Sequence, residues 1–167
     1  KQALSYKNNI LKYSNKNKNF KPLITFYLND ELKIEELISA FDNKIIFGVK
    51  LYPSGATTNS SKGVKNILNM YPVFEEMSKH GIPLLIHGEV NDKKVDIFDR
   101  EKVFIQKFLS NICKKFPSLK ITLEHITTQY AVEFINNSSN DLKASITPHH
   151  LILNRTNMLE HKIKPHY

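Results

Sequence analysis

Three side chains with the chemistry to bind or bridge metal ions each end a run of apolar residues. Lys50 ends IIFGVK, His87 ends PLLIH and His125 ends LKITLEH. Imidazole suits zinc and its neighbours in the divalent series. A desolvated lysine has a neutral, nucleophilic amine, which carbon dioxide converts to a carbamate, an anionic ligand with two oxygen atoms. If the fold brings the three residues to one rim, they predict a metal site.

Each of these residues also has an ordinary structural interpretation. A single histidine on a strand is more often a satisfied core or rim residue than a ligand. Lys50 at an exposed strand end would pack its stem and keep its amine in water. Taken singly, the structural interpretation is favoured for each residue. Their recurrence at three successive strand ends favours the metal site.

A small, polar loop follows the strand that ends near Lys50. It runs from Pro53 to Gly63 and contains the pair Thr57 and Thr58. One interpretation is a flexible connection. The other is a lid whose threonine hydroxyls and backbone amides hold an anionic substrate. Spacing alone leaves both open.

Alternating strands and helices are predicted to position these residues. The apolar runs predict strands at 22–28, 45–52, 83–87, 119–125 and 144–147. Apolar residues at helical spacing predict helices at 3–13, 34–41, 64–77, 104–112 and 130–135. Asn29-Asp30 offers a cap before the second helix, and His80-Gly81 is typical of a C-terminal stop after the third.

The alternation predicts an α/β fold. Strands that are continuous apolar runs indicate a parallel sheet covered on both faces. An eight-stranded barrel typically needs about 250 residues, so five strands in this chain would form a partial TIM (β/α)8 barrel. An open doubly wound sheet fits the count equally well, although neither GxGxxG nor GxxxxGK[ST] is present.

Composition excludes several classes of protein. The chain has 167 residues and a net charge of +8, but Arg100 and Arg155 are its only arginines. Scattered lysines, many beside asparagine as at 15–19, predict a solvated surface and no nucleic acid. No apolar run approaches the roughly 20 residues that cross a bilayer, so no membrane is expected. The single Cys113 and the lack of a targeting segment predict a cytoplasmic protein.

Longer strings around these positions carry a family resemblance. They are VKLYP at 49–53, ATTNS at 56–60, PLLIHGEV at 83–90, DIFDRE at 96–101, EHITT at 124–128 and ITPHHL at 146–151. In this order they resemble the dihydroorotases, specifically the shorter single-function type of the amidohydrolase superfamily. The resemblance runs over essentially the whole chain.

The resemblance implies a metal-dependent barrel enzyme of pyrimidine biosynthesis that interconverts N-carbamoyl-L-aspartate and L-dihydroorotate. It implies two Zn²⁺ ions bridged by a carboxylated Lys50, with His87 and His125 as ligands of the second ion. His87 would also lie near the substrate, and Thr57 and Thr58 would form the tip of a closing loop. A metal-bridged hydroxide would attack the ring amide carbonyl. The resemblance is compatible with a homodimer.

Part of the family's machinery has no match in this span. The His-x-His pair of the first metal and the asparagine and arginine that bind the substrate carboxylate would precede Lys1. The general-base aspartate would follow Tyr167, so no catalytic residue is expected within the chain. We therefore expect 1–167 to be one incomplete barrel domain, from the helix after strand 2 through strand 7. Alone, it is expected to be insoluble or associated with the missing pieces.

Several histidines and charged residues remain without an assigned role. His150 occupies a position like a strand end and is a weak candidate, for which a rim histidine is the favoured interpretation. The others are His80, His149, His161, His166, Glu89, Asp99 and Arg100.

Three alternatives to dihydroorotase stay open. A hydantoinase or allantoinase would share the lysine and the histidines, although the ATTNS string favours dihydroorotase. A non-catalytic homologue or fragment could serve as a structural subunit, but the presence of Lys50, His87 and His125 together speaks against it. Nucleic-acid binding is a distant third, and a steep salt dependence of affinity would be needed to support it.

Overall fold

Five parallel strands form a single sheet in the computed structural model, which describes residues 2–14, 19–138 and 141–160. The strands are β1 (Thr25–Tyr27), β2 (Gly48–Leu51), β3 (Leu84–His87), β4 (Ile121–Glu124) and β5 (Leu142–Ala144). They lie side by side in the order β1-β2-β3-β4-β5, and every pairing is parallel. The predicted α/β alternation is confirmed.

Helices precede, connect and follow the strands. They are α1 (Gln2–Tyr13), α2 (Ile34–Asp42), α3 (Tyr71–His80), α4 (Arg100–Phe104), α5 (Ser110–Lys115), α6 (Gln129–Asn136), α7 (Pro148–Ile152) and α8 (Arg155–Leu159). A π-helical turn at Ile105–Leu109 joins α4 directly to α5, so one continuous helix separates β3 from β4. Short 3₁₀ turns lie at Ile67–Met70 and Ile97–Asp99.

The strand order separates the two folds that the sequence left open. Each strand is added to the same edge of the sheet. Because parallel crossovers are right-handed in nearly all proteins, an order that never reverses places the connecting helices on one face. A doubly wound sheet reverses its order and carries helices on both faces. The arrangement is that of a partial (β/α)8 barrel.

The two faces of the sheet differ in chemistry. Since successive residues of a strand point to opposite faces, the strand pairings sort the residues into two sets. The covered face is Val49, Leu51, Leu84, Ile86, Ile121 and Leu123, none more than 2% exposed. The open face is Tyr27, Lys50, Leu85, His87, Thr122 and Glu124, half-buried apart from the buried His87. Coverage on both faces was predicted, whereas a strand order that never reverses places the connecting helices on one face.

Two local predictions fail for identifiable reasons. The fifth strand was predicted at 144–147, whereas it spans Leu142–Ala144 and the polar groups of Ser145 bind the end of β4 instead. Asn29 does not cap α2, which begins at Ile34 after Lys33. Its side chain accepts a hydrogen bond from Glu31 N at 2.9 Å and forms a local turn, a competing use of asparagine that is common in loops.

The third predicted helix is shorter than its apolar stripe. Val64 pairs with Pro53 in an isolated β-bridge, and the regular helix begins at Tyr71. Gly81 ends that helix at φ 66°, in the left-handed conformation that a C-terminal glycine adopts readily. The helices predicted at 3–13, 34–41, 104–112 and 130–135 are confirmed to within a few residues.

Some positions named in the sequence analysis lie outside the described residues. These are most of the polar turn at 14–19, the two ends of the chain, and His161 and His166. Within the described ranges, no helix is both long and apolar enough to cross a bilayer.

Candidate functional site

The carboxyl ends of β2, β3 and β4 carry the three predicted ligand residues. Lys50 lies in β2 and His87 is the last residue of β3. His125 directly follows β4, whose last residue, Glu124, is paired with His87 in the sheet register. In a parallel sheet these ends share one rim, which is where barrel enzymes build their active sites.

The two histidines face each other through their ring nitrogens. His87 Nδ1 lies 3.1 Å from His125 Nε2, and the ring centroids are 4.8 Å apart. Two imidazoles on one tetrahedral zinc ion, each about 2.05 Å from it, would place their nitrogens about 3.3 Å apart. The observed separation fits a shared cation, and it equally allows one hydrogen bond if either nitrogen carries a proton.

Lys50 lies beside this pair in partly buried surroundings. Burial lowers the pKa of Lys50 to about 8. Its Nζ forms an ion pair with Glu124 and sits 5.0 Å from the centre of the Tyr52 ring. A lysine in this setting is neutral far more often at physiological pH than an exposed lysine, because desolvation disfavours the ammonium form.

Two tyrosines line the side of the site next to Lys50. The Tyr27 and Tyr52 rings are stacked with centroids 5.4 Å apart, and the Tyr52 ring lies 5.9 Å from the His87 ring. The Tyr27 hydroxyl is buried without a hydrogen bond, and burial raises the pKa of Tyr27. The rings give the site an apolar wall that restricts water around Lys50 and His87.

Glu89 approaches the other nitrogen of His87. Its Oε2 lies 3.5 Å from His87 Nε2, which is longer than an ordinary hydrogen bond. The neighbouring His87 is the main cause of the lowered pKa of Glu89. A carboxylate behind a ligand histidine fixes which ring nitrogen carries the proton and leaves the other free to bind a metal.

The backbone at His125 adopts an unusual conformation. Its φ is 43°, in the left-handed region that residues other than glycine rarely adopt. The His125 amide donates to Ser145 Oγ at 2.9 Å. Burial is the main cause of the lowered pKa of His125, and the adjacent His87 lowers it further. A neutral imidazole is the form that binds a metal.

The loop that carries Thr57 and Thr58 is closed by its own hydrogen bonds. Ser60 Oγ donates to Thr57 O at 2.6 Å and accepts from Thr57 N at 3.0 Å. Asn91, in the loop after β3, donates to Ser54 O at 2.9 Å. Within the described part of the chain, neither threonine shares a hydrogen bond with Lys50, His87 or His125. The substrate-binding role of the two threonines stays a prediction.

His150 lies in α7 and does not join the histidine pair. Its ring contacts His149, with centroids 4.4 Å apart, and its Nδ1 is buried without a hydrogen bond. Burial lowers the pKa of His150. The interpretation as a rim histidine stays the favoured one.

His87 and His125 alone are an incomplete donor set for a metal ion. Among the described residues, no group of three or more His, Cys, Asp or Glu side chains is placed to hold an ion. His87 and His125 supply two donors, and an ammonium would repel a cation. As a carbamate, Lys50 would supply the anionic oxygens that complete such a set.

A large cavity lies at the opposite end of the open face. It has a volume of about 1000 Å³ and is lined by Lys7 and Leu11 of α1, by Phe47, and by Lys120 and Thr122 of β4 and its approach. None of the three predicted ligands lines it. We place the functional site at the carboxyl rim because the convergent donors lie there, whereas the cavity lies at the amino ends of the strands.

Sequence reasoning missed three acidic residues around the histidines. Glu124, Glu89 and Glu101 all lie within motifs of the resemblance, but spacing alone gave them no role. For Glu124 the strand pattern was an available signal. Residues two apart in a strand point to the same face, so Glu124 shares a face of β4 with Thr122. Glu101 precedes His125 by 24 residues in the sequence. Only the fold brings Glu101 against the segment that follows His125.

The chain is similar in sequence to known dihydroorotases. No protein-family model matches the sequence. The curated dihydroorotase of Nitrosococcus oceani is 51% identical over 166 residues, which are 99% of this chain and 48% of that protein. The dihydroorotase of Hahella chejuensis is 49% identical over the same shares. The chain spans about half the length of the curated relatives it matches.

Solved structures give the same result. The dihydroorotase of Campylobacter jejuni superimposes with a TM-score of 0.86 at 42% identity, over 99% of this chain and 47% of that one. The dihydroorotase of Saccharomyces cerevisiae, solved with 5-fluoroorotic acid, gives 0.83 at 29% identity, over 98% and 50%. A D-hydantoinase from a Bacillus species gives 0.63 at 17% identity, over 97% and 39%, a likeness of fold alone.

Proposed function

We propose that this chain, a homologue of dihydroorotases along 99% of its length, carries part of a dihydroorotase active site. The reaction is the reversible cyclisation of N-carbamoyl-L-aspartate to L-dihydroorotate in de novo pyrimidine biosynthesis. The observation that carries the proposal is the meeting of Lys50, His87 and His125 at one rim, inside strings that resemble this family. The identity of about half of all aligned positions to curated dihydroorotases supports it.

In this proposal His87 and His125 would hold one divalent cation, and Lys50 as a carbamate would supply anionic oxygens to a two-metal centre. The facing nitrogens of the histidines support the first part. The pKa of about 8 supports the second, because carbon dioxide reacts with the neutral amine. Zinc suits the mixed nitrogen and oxygen donors. When bound, the two cations would polarise the ring amide and make water a stronger nucleophile.

The remaining residues of the site position and shield the reacting groups. Glu89 orients His87, and the Tyr27–Tyr52 stack limits water beside Lys50. Thr57 and Thr58 bind the substrate from the loop after β2. The first-metal histidines and the general base belong, in this proposal, to the half of the relatives' length that this chain does not cover.

The other candidate functions have weaker support. The hydantoinase likeness rests on fold, at 17% identity, whereas the dihydroorotase likeness extends to 51% identity in sequence. A non-catalytic subunit would have no need for convergent ligands at a strand rim. Cytoplasmic localisation and a homodimer stay predictions.

Hydrolysis of dihydroorotate tests the proposal. The intact natural protein that contains this sequence, and the 167-residue chain by itself, would be assayed before chelation, after chelation and after addition of Zn²⁺. We expect chelator-sensitive turnover by the intact protein that zinc restores. Hydantoin and allantoin serve as competing substrates, and turnover of either without dihydroorotate turnover would identify a related cyclic amidase instead.

A matched pair of lysine variants connects the activity to the site. Lys50→Met is expected to abolish turnover. Lys120→Met is the control, because Lys120 is an exposed lysine on the same side of the sheet at the opposite end of the strands. No turnover by the intact protein with metal bound would favour the non-catalytic alternative.

A further inference from the structure

A buried carboxylate, Glu101, binds the backbone that follows His125. Glu101 lies in α4 and is 5% exposed. Its Oε1 accepts hydrogen bonds from Thr128 N at 2.9 Å and Thr128 Oγ1 at 2.6 Å, and its Oε2 accepts one from Thr127 N at 3.1 Å. A carboxylate this deeply buried is stable only when its oxygens have such partners.

The same segment is held from the opposite side by the end of β5. The amide of His125 donates to Ser145 Oγ and the amide of Ile126 donates to Ser145 O, both at 2.9 Å. Four consecutive amides, 125 to 128, therefore donate to groups outside the segment. Two are fixed by Ser145 and two by Glu101.

This double attachment explains how His125 keeps its backbone conformation. A histidine at φ 43° is strained, and such a residue persists only where its surroundings over-determine it. Without the bonds to Glu101, Ser145 alone would hold the segment, and the strain at His125 would favour relaxation toward an ordinary extended path. The imidazole would then turn away from His87.

We propose that Glu101 is a positioning residue that keeps His125 Nε2 facing His87 Nδ1 by fixing the backbone of Thr127 and Thr128 against α4. Glu101 touches neither ligand histidine and acts through the backbone alone. The inference rests on the proposed function insofar as the two histidines hold a metal. Nothing in the family strings or in the spacing assigned Glu101 a role.

Two substitutions remove the acceptor oxygens of Glu101 to different extents. Glu101→Leu removes both oxygens at similar size, leaving the amides of Thr127 and Thr128 without partners. Glu101→Gln keeps one oxygen for Thr128 and turns an N–H toward the Thr127 amide. Two controls complete the set: Glu133→Gln, an exposed residue of α6, and Leu37→Ala, a fully buried residue of α2.

Amide hydrogen exchange of the intact protein is the first measurement. Glu101→Leu is expected to raise exchange at least about tenfold at His125 and Ile126 as well as at Thr127 and Thr128. The acceptor of the first two amides, Ser145, is unchanged in this variant. Faster exchange at His125 and Ile126 therefore reports transmission through the backbone.

Zn²⁺ affinity, measured by competition with a chromophoric chelator, is the second measurement. It should fall about 10- to 100-fold in Glu101→Leu and less in Glu101→Gln, the range seen for residues that support metal ligands. Leu37→Ala should lower the unfolding midpoint without changing Zn²⁺ affinity. That contrast separates positioning from general stability.

Faster exchange confined to Thr127 and Thr128, together with wild-type Zn²⁺ affinity, would overturn the inference. If the wild-type protein binds no zinc, the proposed metal site fails, and exchange at His125 alone decides whether Glu101 positions it. If Glu101→Leu does not fold, Glu101→Gln decides by the same two measurements.

Discussion

The covered face and the open face of one sheet obey different physical rules. The covered face consists of valine, leucine and isoleucine, none more than 2% exposed. The open face alternates with it along the same strands, yet it carries a lysine, a histidine and a glutamate at its carboxyl end. A strand such as β3 contributes Leu84 and Ile86 to one face and His87 to the other.

The difference shows how a short strand serves stability and chemistry together. Burial of apolar side chains under the helices stabilises the sheet by about 25 cal/mol per Å². The open face contributes little of that energy and can therefore hold groups that are costly to bury. Lys50, with its pKa lowered to about 8 by burial, is such a group. Substitutions on the two faces should therefore separate activity from stability.

The largest expected effect is the loss of catalysis from the open face. Lys50→Ala, His87→Ala and His125→Ala should each lower kcat/KM of the intact protein by at least about 10³-fold, because metal chemistry supplies several kcal/mol. The free energy of unfolding without metal should change by less than about 1 kcal/mol for the half-buried Lys50 and His125, since partly exposed polar groups contribute little. His87 is buried, so its substitution should cost more stability than the other two. Steady-state kinetics and urea unfolding measure the two. A large loss of stability in all three variants would contradict the division between faces.

The next effect is a loss of stability from the covered face. Leu84→Ala or Ile86→Ala should lower the free energy of unfolding by about 2–5 kcal/mol, because each removes a fully buried side chain and leaves a cavity. Zn²⁺ affinity of the folded fraction should stay within about twofold of wild type. Denaturant unfolding and chelator competition test this. A loss of zinc binding equal to that of His87→Ala would show that the two faces are not separable.

Gly88 directly follows His87 of the open face and packs against Leu123 of the covered face. A β-carbon at this position would overlap the side chain of Leu123 and contact Phe104, both fully buried. Gly88→Ala should cost about 1–3 kcal/mol of stability through overpacking and should also weaken zinc binding by moving His87. Gly81→Ala is the control, because it strains a helix end without touching the site. If Gly88→Ala changes stability alone, His87 is held independently of its neighbour.

Glu89 should have a smaller effect, limited to the open face. Glu89→Gln removes the negative charge 3.5 Å from His87 Nε2. Zn²⁺ affinity should fall about tenfold, with little change in unfolding, because the carboxylate orients a ligand without packing in the core. Glu75→Gln, on the exposed side of α3, is the matched control. Equal zinc affinity in both variants would remove Glu89 from the site.

The last prediction concerns the reactivity of Cys113, which packs beneath the covered face and has no proposed role in the site. Burial raises the pKa of its thiol to about 11. The thiolate that reacts with iodoacetamide is therefore scarce near pH 8, and alkylation should be at least about 100-fold slower than in urea. Mass spectrometry of quenched samples measures it. Rapid alkylation of the native protein would show that water reaches this layer.

Much of the fold was predictable because its signals are local. Apolar runs and helical spacing located four of the five strands and the main helices, and Gly81 ended α3 as expected. Two of the failures occurred where a polar side chain had two uses. Asn29 formed a turn instead of a cap, and Ser145 bound the end of β4 instead of extending β5. The outcome in each case depended on neighbours distant in sequence or on a competing local bond.

The sequence by itself indicated which residues have the chemistry of metal ligands and that each lies at the end of a predicted strand. Lys50, His87 and His125 follow apolar runs whatever the order of the strands. Only the tertiary structure decided that the strands lie in sequential order and that two ring nitrogens meet at 3.1 Å. Only it placed Glu101 against the segment after His125. The reason is physical: periodicity reports the face and position of a residue within its own element, whereas contacts between elements depend on strand order and packing.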